Sequence, residues 1–344
     1  MSEGPNEGAF FKGVVMDKFV KEKIYNGLCQ LVSVPDSELE QVAAEILAED
    51  VVFDVAHPIN QLVGRAAVLD GFYRPLRAAL DQTRRRDEIF IQAANRRDFG
   101  GEWISSVVHY VGNFNAPFCG VRPHDSLVFL RSGEFYQVAD GKVTLARLIP
   151  DLIDLMRQAR RLPIKEELGT EILFPAPATH DGVMPQMGDG EVSLDVVEGM
   201  LGDLHVFDPD SFESKSQTGD DGYWHDDMLW YGPCGIGSNF RWDGFVKDHR
   251  ESFLQAFPDR KGGNHYCRIG EGNYAAVSGW PSMTMTHQGD YLGVKATGKA
   301  MTLRVMDFYR VADGKIMENW VLLDYGQLFD QMGFDIFAAH QAMD

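Results

Sequence analysis

One carboxylate within an apolar segment is the strongest candidate for chemistry in this sequence. In residues 303–309 (LRVMDFY), strand alternation places Asp307 on one face with apolar and aromatic neighbours. Such surroundings remove water from a carboxylate and raise its pKa toward the range useful for general acid–base work. The alternative is an acid at the rim of a sheet, solvated or paired with Arg304 or Arg310. We predict that Asp307 transfers a proton.

Two histidines in the same half of the chain are candidates for its partner. His249 lies in an amphipathic helical segment, and His265 lies in a strand-like run. A histidine beside a carboxylate can orient it, polarise a carbonyl or carry a second proton. The alternative for each is a structural, hydrogen-bonded histidine. We predict His265 or His249 as the second catalytic group.

A pocket for a flat organic ligand also needs walls, and aromatic side chains in strands can supply them. They can equally be core residues. The candidates for ligand contact are Trp230, Tyr231, Tyr274, Trp280, Tyr309 and Trp320, together with Glu134 and His109 from the first half. Glu318 shares the face of Trp320 by strand parity. The run 84–86 (RRR) is predicted to be a solvated turn or a source of salt-bridge partners.

The elements that must position these groups occur twice. Residues 134–143 (EFYQVADGKV) reappear as 307–316 (DFYRVADGKI), with seven identities in ten positions, and the offset of 173 extends in both directions. Glu134 is therefore the counterpart of Asp307. We predict two tandem domains at residues 1–169 and 191–344, joined by a Pro- and Gly-rich linker at 170–190.

Each copy shows the same succession of elements. A helix (38–49; 193–205), a short strand (51–55; 228–231) and an amphipathic helix (65–80; 242–257) precede four strand-like runs. Those runs are 89–93, 103–110, 127–138 and 143–149 in the first copy, and 264–269, 274–280, 300–311 and 316–324 in the second. Asp-Gly pairs at 140–141 and 313–314 predict tight hairpins. This order indicates an α+β fold.

The segment 307–320 (DFYRVADGKIMENW), preceded by 297–299 (TGK), resembles the SnoaL-like polyketide cyclases of the nuclear transport factor 2-like superfamily. The resemblance implies a curved antiparallel sheet wrapped by helices into a cone with a pocket inside. It also implies catalysis without metal or cofactor, in which an acid at the position of Asp307 moves a proton of an enolisable substrate. The first copy departs from the motif, since Leu145 and Arg147 stand where Glu and Trp are expected.

Composition narrows the function further. The 344 residues carry 32 basic and 51 acidic side chains, a net charge of −19, which disfavours nucleic acid and anionic membrane surfaces. No segment is apolar enough to predict a membrane span, and four scattered cysteines indicate reduced thiols in the cytoplasm.

We therefore expect a cofactor-independent isomerase, cyclase, or dehydratase or hydratase (a lyase) for a small to medium, largely apolar carbonyl compound. The two domains are expected to pack as an internal pseudo-dimer, with a homodimer as a further option. The alternative is a non-catalytic ligand-binding or scaffold protein of the same fold.

Overall fold

The computed structural model describes residues 7–164, 168–171, 173–214 and 217–344, with side chains described from Lys18 onward. Its helices are α1 (Glu7–Leu31), α2 (Asp36–Ile46), α3 (Arg65–Val68), α4 (Arg74–Ala79), α5 (Leu152–Gln158), α6 (Gly190–Leu204), α7 (Arg241–Phe245), α8 (Glu251–Ala256), α9 (Tyr325–Met332) and α10 (Ile336–Gln341), with π-helical turns at Leu69–Tyr73 and Val246–Arg250. The strands are β1 (Leu47–Val55), β2 (Gln61–Val63), β3 (Leu80–Ala94), β4 (Glu102–Phe114), β5 (Ser126–Ala139), β6 (Lys142–Pro150), β7 (Trp224–Tyr231), β8 (Ser238–Phe240), β9 (Cys267–Glu271), β10 (Tyr274–Thr286), β11 (Ala300–Ala312) and β12 (Lys315–Leu323).

The strands form two six-stranded sheets with one topology. The first sheet has the order β2-β1-β6-β5-β4-β3 and the second the order β8-β7-β12-β11-β10-β9. The predicted α+β class and two-domain architecture are confirmed. Each sheet is mixed, however, because β1 runs parallel to β6 and β7 runs parallel to β12. The domain boundaries at 169 and 191 stay predictions.

The strands that carry the two candidate carboxylates, β5 and β11, each end in a tight hairpin turn, as their Asp-Gly pairs predict. Both residues of each pair have positive φ, 51° and 70° at Asp140 and Gly141, and 50° and 74° at Asp313 and Gly314. Two successive positive φ values are the signature of a type I′ turn, whose twist matches that of the flanking strands. Beyond one register shift in each hairpin, Glu134 faces Leu148 and Asp307 faces Val321.

One face of each sheet is covered by its own helices, and the other face packs against the opposite sheet. The centre of this contact is the ring pair Phe135 and Phe308, whose centroids lie 5.5 Å apart. The two residues occupy equivalent places in β5 and β11. The buried cluster contains side chains from both sheets, including Trp103, Ile149, Met306 and Trp320.

A reciprocal pair of carboxylates joins the two halves around this contact. Asp151 begins α5 and accepts a hydrogen bond from the backbone N–H of Cys234 at 2.9 Å. Its counterpart Asp324 begins α9 and accepts one from the N–H of His57 at 3.2 Å. Because each half caps its own helix and binds the backbone of the other, the contact has the exchange pattern of an isologous interface.

Within the described part of the chain, none of the helices has the length and apolar character needed to cross a membrane.

Candidate functional site

A cavity lies inside the second domain, between β10, β11 and β12 and the helices that cover them. Its volume is about 120 Å³, close to the roughly 150 Å³ of a cavity that holds benzene. Apolar side chains from helices and strands form most of the wall, among them Leu201, Phe245, Phe253, Leu303 and Val305. Its polar lining comprises His205, His249, Arg250, Arg260, His265, Ser282, Asp307, Tyr309 and Asn319. The cavity thus combines apolar walls with a few polar groups.

Asp307 faces this cavity from the middle of β11. Leu303, Val305 and Tyr309 line the same space, as strand alternation predicts. Burial raises the pKa of the Asp307 carboxyl to about 7, and hydrogen bonds from the side chains of Asn319 and Tyr309 oppose that rise. A carboxyl with this pKa exists in both protonation states near neutral pH and can both accept and return a proton.

The two arginines that could have neutralised Asp307 are engaged elsewhere. Arg304 donates to Asp324 with an Nη1–Oδ2 distance of 3.1 Å. The Arg310 guanidinium donates to Glu318 on the neighbouring strand β12. Both point to the other face of the sheet, because they alternate with Asp307 along β11. The alternative of a salt-bridged rim acid is therefore not realised at this residue.

His265 lies at the edge of the same cavity as a neutral imidazole. Its Nδ1 accepts a hydrogen bond from Arg268 Nε at 3.1 Å, and burial lowers its pKa to about 3. With Nδ1 acting as acceptor, the ring proton resides on Nε2. The side chain can donate a hydrogen bond from Nε2, whereas protonation to the imidazolium is disfavoured.

His249 is held by stacking. Its ring lies on that of Trp230 with centroids 4.5 Å apart and an interplanar angle of 18°. Burial lowers its pKa to about 3, and its buried Nδ1 has no hydrogen-bond partner among the described residues. Trp230 also lines the cavity, as does Tyr309. His249 is therefore a neutral wall residue with an unused ring nitrogen.

Four predicted wall residues lie on the opposite face of the sheet, in or beside the contact between the halves. Tyr231 donates to Glu318 at 3.2 Å, and Trp320 donates from Nε1 to the carbonyl of Pro175 at 3.0 Å. Tyr274 and Trp280 belong to or pack against the same buried cluster. The prediction that these four side chains wall the cavity is wrong. Strand parity correctly placed Glu318 on the same face as Trp320. Because both faces of β12 are buried, the apolar character of its residues could not indicate which face lines the cavity.

In the first domain, the equivalent carboxylate is sealed in a polar network. Arg85 Nη1 lies 2.6 Å from Glu134 Oε2, and both side chains are 0% exposed. Tyr110 donates to Glu134 at 2.6 Å, and Tyr136 donates to it as well. Arg85 also pairs with Asp87 at 2.7 Å. The prediction of Glu134 as a ligand-contacting residue is not supported, because its oxygens already have three protein donors.

His109 belongs to the first domain too. Its Nδ1 lies 3.1 Å from Glu88 Oε1, and both side chains are buried in that pairing. The prediction that His109 contacts a ligand is corrected in the same way. His109 lies on β4 of the other sheet, away from the cavity of Asp307.

Gly262 is the positional equivalent of Arg85 in the second domain. The preceding residue of each pairs with the neighbouring strand, at Val111 in the first sheet and Thr284 in the second. Val111 in turn pairs with residue 129 of β5, and Thr284 pairs with residue 302 of β11. Residues 129 and 302 are equivalent positions, because they differ by the repeat offset of 173. Gly262 lines the cavity. A glycine thus stands where the first domain places the guanidinium that neutralises Glu134.

Sequence reasoning missed several polar lining residues. His205 ends a helix whose pattern carries no catalytic signal, and Asn319 follows Glu318 on β12 with opposite parity. Arg250 and Arg260 lie in and just beyond an amphipathic helical segment and belong to no motif. The departure of the first copy from the motif pointed to the second copy, but the equivalence of Arg85 and Gly262 emerges only from the strand register.

One group of potential metal ligands lies apart from the cavity. Asp154, Glu171 and Cys234 bring ligand atoms within 4.8 Å of one another. Arg157 Nη2 lies 2.6 Å from Asp154, and Arg131 Nη2 lies 3.6 Å from Glu171, so both carboxylates already have cationic partners. Burial keeps the Cys234 pKa well above its usual value, which disfavours the thiolate that a metal needs. These features favour an ion-pair cluster.

Comparison with known proteins places similarity in the second half. The model of the SnoaL-like polyketide cyclase family matches residues 214–332. No curated protein matches the chain. Among solved structures, AclR from Streptomyces galilaeus, a candidate hydroxylase, is 26% identical over 32% of this chain and 78% of its own, with a TM-score of 0.27. A candidate SnoaL-like polyketide cyclase from Jannaschia sp. CCS1 is 14% identical over 46% and 97%, with a TM-score of 0.33. A candidate isomerase from Rhodopseudomonas palustris is 19% identical over 41% and 96%, with a TM-score of 0.32.

Proposed function

Because residues 214–332 of the second domain match the SnoaL-like polyketide cyclase family, we propose that this protein is a cofactor-independent cyclase or isomerase whose proton-transfer residue is Asp307. The single observation that carries the proposal is a carboxyl with a pKa of about 7 that faces an apolar cavity and has no cationic partner within ion-pair distance among the described residues. Perturbed carboxyls in clefts are enriched at catalytic sites.

The reaction begins with a carbonyl compound in the cavity. The Asp307 carboxylate removes a proton from the carbon next to the carbonyl, and the C–H electron pair moves to the carbonyl oxygen to form an enolate. His265 is the candidate donor to that oxygen, since its Nε2 carries the proton of the neutral ring. Protonated Asp307 then returns the proton to another carbon in an isomerisation. In a cyclisation, the enolate carbon attacks a second carbonyl and the new alkoxide takes the proton.

The remaining groups position the ligand. Trp230 and Tyr309 supply flat surfaces in the cavity wall, and the ring of His249 stacks on that of Trp230. Asn319 and Tyr309 hold the Asp307 carboxyl by hydrogen bonds, which keeps its pKa from rising further. A shift of one pKa unit corresponds to about 1.4 kcal/mol, so these bonds tune the residue toward the pH at which it works.

The first domain would act as the structural partner. Its carboxylate Glu134 is neutralised by Arg85, and its sheet packs on that of the second domain through equivalent residues. This arrangement supports an internal pseudo-dimer in which one half retains the reactive site. A protein of this kind takes a small-molecule substrate and needs no nucleic acid or membrane.

The test follows proton transfer directly and works before the natural substrate is identified. A small-molecule extract and a panel of enolisable ketones are incubated with the protein in D₂O, and incorporation of deuterium or formation of products is followed by mass spectrometry. Wild type is expected to label or convert a compound, with a rate that rises as pH passes through about 7 because the carboxylate form is the base.

The variant Asp307→Asn keeps the shape of the side chain and is expected to lose this rate by about 100-fold or more. The matched control is Asp313→Asn in the exposed hairpin that ends the same strand, which is expected to keep the rate. Equal rates in wild type and Asp307→Asn would refute the role of Asp307. Retention of a ligand without any exchange or product, in all three proteins, would identify a binding protein instead.

A further inference from the structure

The charges that line the cavity run against those of the chain as a whole. The protein has a net charge of −19, yet the described residues that line the cavity include two arginines, Arg250 and Arg260, and one acid, Asp307. The histidines add no charge at neutral pH, because burial lowers the pKa of His205, His249 and His265. The cavity is therefore locally positive.

Arg250 is buried, and none of the described residues places a carboxylate at ion-pair distance from it. It is 4% exposed, and its guanidinium donates to the carbonyl of Phe212 at 2.7 Å and to the hydroxyl of Ser214 at 3.2 Å. Within the described residues these partners are neutral, and Asp203 attracts the charge only from farther away. Burial and repulsion from Arg260 lower the Arg250 pKa to about 10. These contacts hold the side chain in place without a carboxylate in direct contact among the described residues.

Arg260 also lines the cavity, and among the described residues its guanidinium makes fewer hydrogen bonds than that of Arg250. In the described part of the chain, its guanidinium makes one hydrogen bond, from Nη2 to the carbonyl of Leu204 at 3.4 Å. A Cβ placed on Gly262, which lines the cavity, would lie 3.7 Å from Arg260 Nη1. Burial lowers its pKa. Its remaining donors are thus available beside the cavity.

Arg250, Arg260 and Asp307 line the same cavity, and among the described residues no ion pair joins either guanidinium to the Asp307 carboxyl. Both arginines also lower the pKa of His249, which lines the cavity as well. A ligand that fills the cavity can therefore contact the arginines and the Asp307 carboxyl at the same time.

We propose that the substrate carries a carboxylate, which Arg260 and Arg250 bind while the reacting carbon faces Asp307. A buried unpaired charge is costly, and a guanidinium binds a carboxylate by two parallel hydrogen bonds. Arg250 uses Nε and Nη2 for Phe212 and Ser214, so the remaining N–H groups of the two guanidinium groups are the donors for the carboxylate oxygens. This inference rests on the proposed function, and it makes the substrate a small keto acid.

The test compares an anion with its neutral isostere. Binding of 4-oxopentanoate and of 4-oxopentanamide is measured by saturation-transfer NMR, with inorganic phosphate as a competing anion. Wild type is expected to bind 4-oxopentanoate at least about tenfold more tightly than the amide. Arg260→Gln is expected to remove that preference, Arg260→Lys to restore part of it, and Arg241→Gln at an exposed position to leave it unchanged.

The outcomes separate the carboxylate assignment from the proton-transfer role of Asp307. Equal affinity for anion and amide in wild type, or an anion preference that survives in Arg260→Gln, would overturn the carboxylate assignment. Displacement by phosphate at a lower concentration than that of the keto acid would assign the site to a phosphate. Asp307→Asn is expected to retain 4-oxopentanoate, so a failure of proton transfer leaves this result intact. Circular dichroism of each variant verifies that it is folded.

Discussion

The strands β5 and β11 carry a carboxylate at equivalent positions, Glu134 and Asp307, but the surroundings of the two side chains differ. Glu134 in the first domain is bound by Arg85 and two tyrosines, with no exposed surface. Asp307 in the second domain keeps the equivalent tyrosine, Tyr309, but faces a cavity. The difference teaches that one position on a shared scaffold can be sealed in a polar network or face a cavity. The facing residue that is arginine in one copy and glycine in the other is part of that difference.

The largest expected effect comes from removing the guanidinium in the first domain. Arg85→Ala would leave Glu134 and Asp87 as buried charges without their cation, and loss of one member of a buried pair costs about 3–5 kcal/mol. Urea denaturation measures this change in the free energy of unfolding. Arg84→Ala, at the exposed neighbouring position of β3, should change it by less than about 0.5 kcal/mol. Equal effects at the two positions would contradict the structural role of Arg85.

The next effect comes from placing an arginine in the second domain at the equivalent position. Gly262→Arg would direct a guanidinium into the cavity toward Asp307, lowering the carboxyl pKa and filling the space for ligand. Deuterium exchange should fall by about 100-fold, or about 2.7 kcal/mol in activation free energy. Gly202→Arg is the control, since a side chain at Gly202 meets no atom within 4 Å. Full activity of Gly262→Arg would refute the comparison.

The smallest effect is on stability and depends on pH. The Asp307 carboxyl has a pKa of about 7 in the folded protein against an ordinary value of 3.8, so between these values the folded state holds a proton that the unfolded state releases. Stability therefore falls as pH rises through this window. Asp307→Asn should raise the free energy of unfolding by about 1–2 kcal/mol at pH 8 and by little at pH 4.

Glu134→Gln provides the opposite case, because it removes the carboxylate partner of buried Arg85 and should destabilise the protein at pH 8. Parallel urea titrations at the two pH values separate the variants. A stability gain for Asp307→Asn that is the same at pH 4 and pH 8 would show that the carboxyl does not titrate as described.

Local sequence signals predicted the scaffold well. Repeated motifs, Asp-Gly turns and strand alternation predicted two copies, the hairpins and the placement of Asp307 with Tyr309. Element ends were less accurate: β3 runs from Leu80 to Ala94, whereas the apolar run predicted only 89–93. The charged stretch around Arg85 did not look like a strand. Its inward-facing arginine forms an ion pair with Glu134 on β5, two strands away, and no local sequence pattern contains that relation.

The site was predicted only in part, for a physical reason. Each sheet buries both faces, so the aromatic residues of β12 and β7 are equally compatible with a cavity wall and with the contact between sheets. Trp320 and Tyr231 belong to the contact, whereas Trp230 belongs to the cavity. Arg250 and Arg260 belong to no motif, and only the structure shows that no described carboxylate lies at ion-pair distance from either of them.

The reciprocal caps at Asp151 and Asp324 have a consequence for inheritance. When two identical subunits meet across such an interface, one gene encodes both, and every substitution alters both pockets at once. Here the two sides are encoded by separate stretches of one chain, so position 85 and position 262 can diverge independently. Mutations can therefore change the side chains around Asp307 while the ion pair of Glu134 and Arg85 is kept.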